Sequence, residues 1–461
     1  MSDPSIAFTP ARELARLIRS RTLSAREVMA ACLDRIARLN PQLNAIVGAL
    51  PDGDCLALAD DADRVLAAGS EPGPLHGVPI AIKDLGPAAG LRWTRGSLAF
   101  ADELASEDST IVRRMREAGA IPIGKTNVPE FGMGSQTYNQ VYGVTRNPWN
   151  LSKTAGGSSG GAAAAVAAGL LPLADGSDFG GSLRNPANFT NIVGMRPSFG
   201  LVPDDPNPLP GVGFGVKGPI ARSVDDLAWL LSVLAGRDFS TVKSMRADQI
   251  RVAWSPDLGG LPLAPEVRRV LDAQRAAFVD LGCQIEEAHP DFSGVDDFFL
   301  TIRMARSWRT LGPLLEKHRA VIKPEAIWEI DCGSHVTAAE LATAQARHAA
   351  FLDRMRVFHQ RYDFIVCAVN QVAPFDVSVE WPRDIDGVPM DNYIAWMKSA
   401  YWISATFGPA ISVPAGFTED ALPVGIQIAG APGNDLGVLQ LAALFESATG
   451  TGRARPPVAM P

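Results

Sequence analysis

The sequence predicts an α/β fold, a single large domain in which a mixed, twisted β-sheet is sandwiched by α-helices. Three observations carry that prediction. Short apolar runs alternate with amphipathic stretches from Gly77 past Gly200 and again from Arg251 onward, the pattern that layers helices on a sheet. Of 461 residues, 47% are hydrophobic and 20% charged, which suits a large core and not a disordered chain. No internal repeat, low-complexity tract or long linker divides the sequence.

The elements follow in order. Residues 1–65 read as helices, with Thr9 as an N-cap and Pro10 at a first helical position. Ser24 and Glu27 form a capping-box pattern opening an amphipathic run through Val28, Cys32, Ile36 and Leu39, which Asn40-Pro41 is expected to stop. From Gly77 a short apolar strand runs to Lys83 and Asp84. Residues 110–118 then read as a helix, 121–124 as a strand and 131–135 as a glycine-rich loop. The run 162–168 has only Ala and Val side chains, and alanine's propensity makes it a tightly packed, buried helix. The Pro/Gly-rich connection 203–219 has no periodicity and reads as a loop. Helices are predicted over 224–234, 266–281, 295–311, 338–360 and 436–448. Strands are predicted over 251–254, 283–286, 364–369, 410–413 and 424–428.

Composition narrows the function. A net charge of -8 argues against nucleic acid or an anionic membrane as the main partner. Cys32, Cys55, Cys283, Cys332 and Cys367 are odd in number and include no CxxC pair. That fits thiols in a reducing compartment and no zinc framework. No apolar signal segment or run of about 20 apolar residues is visible, so a soluble cytoplasmic protein is expected.

The informative stretch is 154–196. Two serine sites, 156–161 (GGSSGG) and 180–182 (GGS), sit in glycine turns on either side of the alanine-rich helix. Glycine lets backbone or substrate approach closely, so this is a place to hold a reacting group. Three pattern matches compete with that reading. Residues 119–126 (GAIPIGKT) fit a phosphate loop, but a helix precedes them and a strand runs through them, the reverse of what phosphate binding needs. Residues 213–218 fit GxGxxG but follow a proline-rich loop and run into Pro219. Residues 157–161 fit the nucleophile elbow with Ser159 as nucleophile. None of His289, His318, His335, His348 and His359, however, lies at a strand end in a turn. What remains is serine with lysine. Lys83 either snorkels to solvent or is desolvated, its pKa falling until a neutral amine can accept a proton. A glycine-rich turn such as 179–182 supplies backbone donors for an oxyanion.

Residues 77–84, 124–127, 147–149, 156–197, 408–416 and 422–427 together resemble the amidase signature family, the Ser-cisSer-Lys hydrolases of carboxylic amides. The resemblance implies a signature core over about 70–220 and a variable, substrate-shaping region over about 251–401, within one amidase domain spanning 1–461. It implies Ser182 as the acylated nucleophile, Ser158 as a bridging serine after a cis peptide bond, and Lys83 as the base. The N–H groups of Phe179, Gly180, Gly181 and Ser182 are expected to line an oxyanion hole, and Gly132 to border the acyl pocket. Asp178 and Arg184 are expected to brace the loop, with Ser159 a structural neighbour. Phe179 departs from the smaller residue usual there, and Pro87-Ala88 from a more polar pair, which bears on specificity. No metal or cofactor is implied. The expected partner is a small-molecule amide, with a homodimer as the candidate assembly. The expected reaction gives acid plus amine or ammonia from a hydrophobic aliphatic or aryl amide. The alternative is the glutaminase-type subunit of a tRNA-dependent amidotransferase. The aromatic segment 392–397, with Tyr401 and Trp402, is read as surface that favours a free-standing amidase. A non-catalytic protein of the same fold is disfavoured by the presence of Lys83, Ser158 and Ser182.

Overall fold

The computed structural model describes residues 4–207, 209, 212–240, 242 and 245–460. The chain begins with helices α1 (Pro4–Phe8), α2 (Ala11–Arg19), α3 (Ala25–Leu43) and α4 (Asp52–Ala67), with a short strand β1 (Ile46–Val47) between the last two. Ser24 caps α3 through the expected reciprocal pair: its hydroxyl accepts from the Glu27 amide at 3.0 Å, and the Glu27 carboxylate accepts from the Ser24 amide at 2.8 Å. Two expectations fail nearby. Pro10 is itself the N-cap of α2, because the Ala11 and Arg12 amides are capped at long range by the Asp226 carboxylate, at 2.8 and 2.9 Å. Asn40-Pro41 does not stop α3, which continues to Leu43 and ends at Asn44 in the left-handed region. Asn40 Oδ1 instead accepts from the Ala45 and Ile46 amides beyond the helix.

Strands β2 (Pro79–Lys83) and β3 (Ile121–Thr126) run parallel, with β1 antiparallel to β3, and form a three-stranded sheet; helix α5 (Thr110–Glu117) connects β2 to β3. Two small hairpins follow, β4 (Tyr138–Asn139) with β5 (Gly143–Val144) and β6 (Arg146–Asn147) with β7 (Asn150–Thr154). Next come α6 (Gly160–Ala167), β8 (Leu173–Asp178), α7 (Arg184–Thr190), β9 (Val193–Arg196), β10 (Val216–Ala221) and α8 (Val224–Ala235). The alanine-rich helix is buried at every position. The connection expected to be a loop through Pro219 instead becomes strand β10 from Val216. It pairs antiparallel with β8 on one side and β9 on the other, and ladder bonding on both sides outweighs the weak local signal of Gly and Pro. Residues 208, 210 and 211 of that connection lie outside the described residues.

The second half supplies β11 (Arg251–Trp254), α9 (Pro265–Asp280), β12 (Gln284–Glu287), α10 (Val295–His318), α11 (Pro324–Ser334), α12 (Ala338–Arg361) and β13 (Phe364–Ala368). It continues with a hairpin of β14 (Asp384–Ile385) and β15 (Val388–Pro389), then α13 (Lys398–Ala405), β16 (Ala410–Phe417), β17 (Pro423–Gly430) and α14 (Asp435–Thr449). The main sheet has eight strands in the order β12-β11-β13-β17-β16-β9-β10-β8, parallel from β12 to β13 and antiparallel from β13 to β8. Alternation along β13 shows how both faces are covered. Phe364, Val366 and Ala368 join the apolar cluster of α8, α9 and α14, whereas Ile365 and Cys367 join that of α10, α12 and α13. The sandwich is thus a mixed sheet between helical layers, with the three-stranded sheet beside its β8 edge. Tyr393, Trp396 and Tyr401 are buried in the second cluster, so the segment expected to present an aromatic surface is part of the core. No helix among the described residues is long and apolar enough to cross a membrane.

Candidate active site

Every residue of β2 is buried, and the strand delivers Lys83, 2% exposed, into the seam between the two sheets. The Lys83 backbone N–H donates to Asp175 Oδ1 at 3.0 Å, which ties β2 to β8. Both are edge strands of their own sheets, so the site lies between facing edges and not at the middle of one sheet. The Lys83 amine sits 2.8 Å from Ser158 Oγ, 2.7 Å from Ser159 Oγ, 2.9 Å from Ser177 Oγ and 3.2 Å from the Ser177 carbonyl. It does not snorkel. Burial, reinforced by the positive charge of Lys217, drives its pKa well below the ordinary lysine value, against the pull of Asp175 and Asp178. A neutral amine in a ring of hydroxyls can donate to some and take a proton from another.

The turn carrying Ser158 is gripped from outside. The peptide bond Gly157–Ser158 is cis. Ser135 Oγ donates to the Gly157 carbonyl at 2.5 Å and Thr137 Oγ1 to the Gly156 carbonyl at 2.8 Å. At Gly161 a Cβ would fall 2.2 Å from the Asn127 nitrogen and 2.6 Å from the Ala45 carbonyl oxygen, so only glycine lets α6 start this close to its neighbours. Gly132 approaches from the other side; a Cβ there would lie 3.4 Å from Ser158 Oγ.

The second serine turn is braced by a buried ion cluster. Asp178, at the end of β8, accepts from the Gly181 N–H at 2.8 Å and the Leu183 N–H at 3.1 Å. It also binds Arg184 through Nε at 3.0 Å and Nη2 at 2.9 Å, and lies 3.4 Å from Arg196 Nη1. Burial alone would raise its pKa, but the Arg184 and Arg196 guanidiniums hold the carboxyl well below the usual carboxylate range. Arg184 reaches onward to the Ala400 carbonyl at 3.0 Å, Ser404 Oγ at 2.7 Å and Gln427 Oε1. The Gly181 N–H is therefore committed to Asp178, which leaves Phe179, Gly180 and Ser182 as the backbone donors of the expected set that are not so engaged. Ser182 is partly exposed, and its carbonyl accepts from the Ser159 N–H at 3.2 Å, so the two serine turns touch.

Phe179 points into an aromatic group, its ring 5.6 Å from Phe214 and 5.7 Å from Phe299, with the Arg303 guanidinium 5.3 Å from its centroid. Tyr401 and Phe299 flank Gly180. The wall beside the turn is apolar and aromatic.

All nine predicted site residues, Lys83, Gly132, Ser158, Asp178, Phe179, Gly180, Gly181, Ser182 and Arg184, fall in this one region. The histidines do not: His76 bonds the Ala62 carbonyl, His289 that of Pro290, His335 that of Asp331, His348 that of Ala405 and His359 that of Tyr362. The phosphate-loop match is a buried strand whose Lys125 lies 3.9 Å from Asp84, its amine lowered to about 8 mainly by burial. Sequence reading missed Asp175 and Ser177, which hold Lys83, and Arg196 with Gln427, which complete the brace. All four stand inside the motif stretches, but nothing local shows where their side chains meet.

A family model described as Amidase matches residues 27–439. An acylamidase of Rhodococcus erythropolis is 36% identical over 97% of this chain and 97% of its own length. A glutamyl-tRNA(Gln) amidotransferase subunit from Symbiobacterium thermophilum is 33% identical over 97% of this chain and 98% of its own. The crystal structure of a bacterial aryl acylamidase, described as one of the amidase signature enzymes, superposes with a TM-score of 0.91 at 29% identity, covering 98% of this chain and all of that one.

Proposed function

The chain belongs to the amidase family and is an amide hydrolase, and from that premise we propose that it cleaves hydrophobic aliphatic or aryl amides through an acyl-enzyme on Ser182. The observation that carries this reading is the buried Lys83 amine within 2.8 Å of Ser158 Oγ, beside a turn walled by Phe179, Phe299 and Tyr401. The neutral amine takes the Ser158 proton as Ser158 takes that of Ser182, and Ser182 Oγ attacks the amide carbon. The N–H groups of Phe179, Gly180 and Ser182 receive the oxyanion. Collapse breaks the C–N bond, the leaving nitrogen takes a proton back through Ser158, and water then releases the acid by the same relay. Aromatic walls favour an apolar acyl or amine portion over the charged backbone of glutamine.

The similarity to amidotransferase subunits keeps one rival in play. Purified chain assayed on short aliphatic amides, anilides and free glutamine separates them. Turnover of anilides or apolar amides by the chain alone is expected. Hydrolysis of glutamine only, and only with partner subunits added, would overturn the proposal.

A further inference from the structure

We propose that Lys217 is a positioning residue that keeps Lys83 in its neutral, proton-accepting form, an inference that rests on the reading of Lys83 as the base. The geometry starts from strand register. Lys217 on β10 lies directly opposite Ser177 on β8 in the antiparallel pair, and residues opposite one another project from the same face of a sheet. Ser177 is the residue whose hydroxyl and carbonyl both hold the Lys83 amine, at 2.9 and 3.2 Å. Lys217 and the serine that holds Lys83 therefore project from one face of the same strand pair. A charged ammonium at Lys217 raises the free energy of a second charge at Lys83, and the cost is large because Lys83 is out of water.

The other charged groups facing Lys83 act in the opposite sense. Asp175 and Asp178 come from its own neighbour β8, and both favour a protonated Lys83. Lys125 on β3 and Asp84 just after β2 form a buried pair of their own at 3.9 Å. From the α6 turn come only hydroxyls. Lys217 is thus a positive charge set against Asp175 and against Asp178, the latter already paired with Arg184 and Arg196. Its own charge is in turn partly offset by Asp204, 3.4 Å away in the connection before β10. A Cβ at Gly215 would lie 3.5 Å from Asp204 Oδ2 and 3.6 Å from the Phe179 ring, so this pair lies beside the proposed substrate wall.

The test reads the acid limb of the pH profile in two ways: kcat/KM on p-nitroacetanilide, and the rate at which a fluorophosphonate labels the protein. Lys217→Met is expected to move the limb upward by about one pH unit while the alkaline plateau persists, because Lys83 regains its proton affinity but still deprotonates at high pH. Lys217→Arg, which keeps the charge, is expected to restore the limb to its parental position. Asp204→Asn, which unmasks Lys217, is expected to move it downward. An unmoved limb in Lys217→Met, or a lower plateau with the limb in place, would show a merely structural residue and overturn the proposal. An unsuitable amide leaves the labelling profile readable, so a failure over substrate class is separable. Parental labelling in Lys83→Ala would sink the reading of Lys83, and this inference with it.

Discussion

At the scale of single residues, the site turns on which hydroxyl is acylated. Ser182→Ala is expected to lower amide turnover by about 10⁴-fold or more with little change in Tm, since a partly exposed hydroxyl is exchanged for hydrogen. Ser159→Ala should lose only about tenfold. Ser159 is one of three hydroxyls within 2.9 Å of the Lys83 amine, and the other two remain. Peptide mass spectrometry after fluorophosphonate treatment decides the matter; an adduct on Ser159 would reverse the assignment. Lys83 makes a second test. Burial and Lys217 depress its pKa, so the neutral form gains as pH rises, and activity should climb through that lowered pKa and then level off. Lys83→Arg should be as inactive as Lys83→Ala, because a guanidinium does not give up its proton. Lys83, Ser158 and Ser182 could be singled out in the sequence as candidates because each stands in a short motif of constrained spacing. Asp175 and Ser177 were not, because their meeting with Lys83 depends on two sheets facing edge to edge.

Among the elements, α6 shows a reversal of ordinary propensity. Gly161→Ala improves the intrinsic helix preference by about 1 kcal/mol, yet it drives a methyl into the Asn127 backbone. The expected net result is destabilisation by about 2 kcal/mol or more, read as a lower urea midpoint with unchanged slope. Helix α14 carries a pH-dependent joint. Glu446 accepts the Val224 N–H, the first amide of α8, at 3.1 and 3.2 Å. Its pKa rises from 4.5 to about 7, chiefly through burial, with Asp226 and Asp225 adding repulsion and the Val224 bond opposing it. Between those two values the folded protein keeps a proton that the unfolded chain has lost. Stability from this group is therefore complete in acid and declines as pH rises through about 7. Thermal melts across that window should show the decline in the parent, by about 2 kcal/mol after allowing for partial exposure, and a flatter curve in Glu446→Gln. The strongly periodic helices α8, α9 and α12 could be read from sequence. Strand β10 and the cap on α2 could not, because a partner strand and Asp226 supply what the local residues lack.

For the molecule as a whole, the Asp178 cluster joins the serine turn to the far side of the sheet. Arg184 spans from Asp178 to Ala400 and Ser404 on α13 and to Gln427 on β17, and Arg196 adds the Ser404 carbonyl. Asp178→Asn would leave two buried guanidiniums short of their counter-charge, with an expected cost of about 3–5 kcal/mol and a matching fall in Tm. Activity should fall further than stability alone explains, because the carboxylate also orients the Gly181 and Leu183 amides. A Tm within a degree or two of the parent would mean that the cluster bears no such load. The alternation of strands and helices made the sandwich readable in outline. The strand order did not follow from it, since β16 and β17 cross from the end of the chain to lie between β9 and β13.

That crossing has a consequence for synthesis. The residues of both serine turns are translated well before Gln427, which holds Arg184 from 243 positions further along the chain. A ribosome-bound chain can hold every reactive side chain and still lack the strand that sets them in place. A chain that stops short of Gln427 is therefore expected to hydrolyse no amide, even with both serine turns already made.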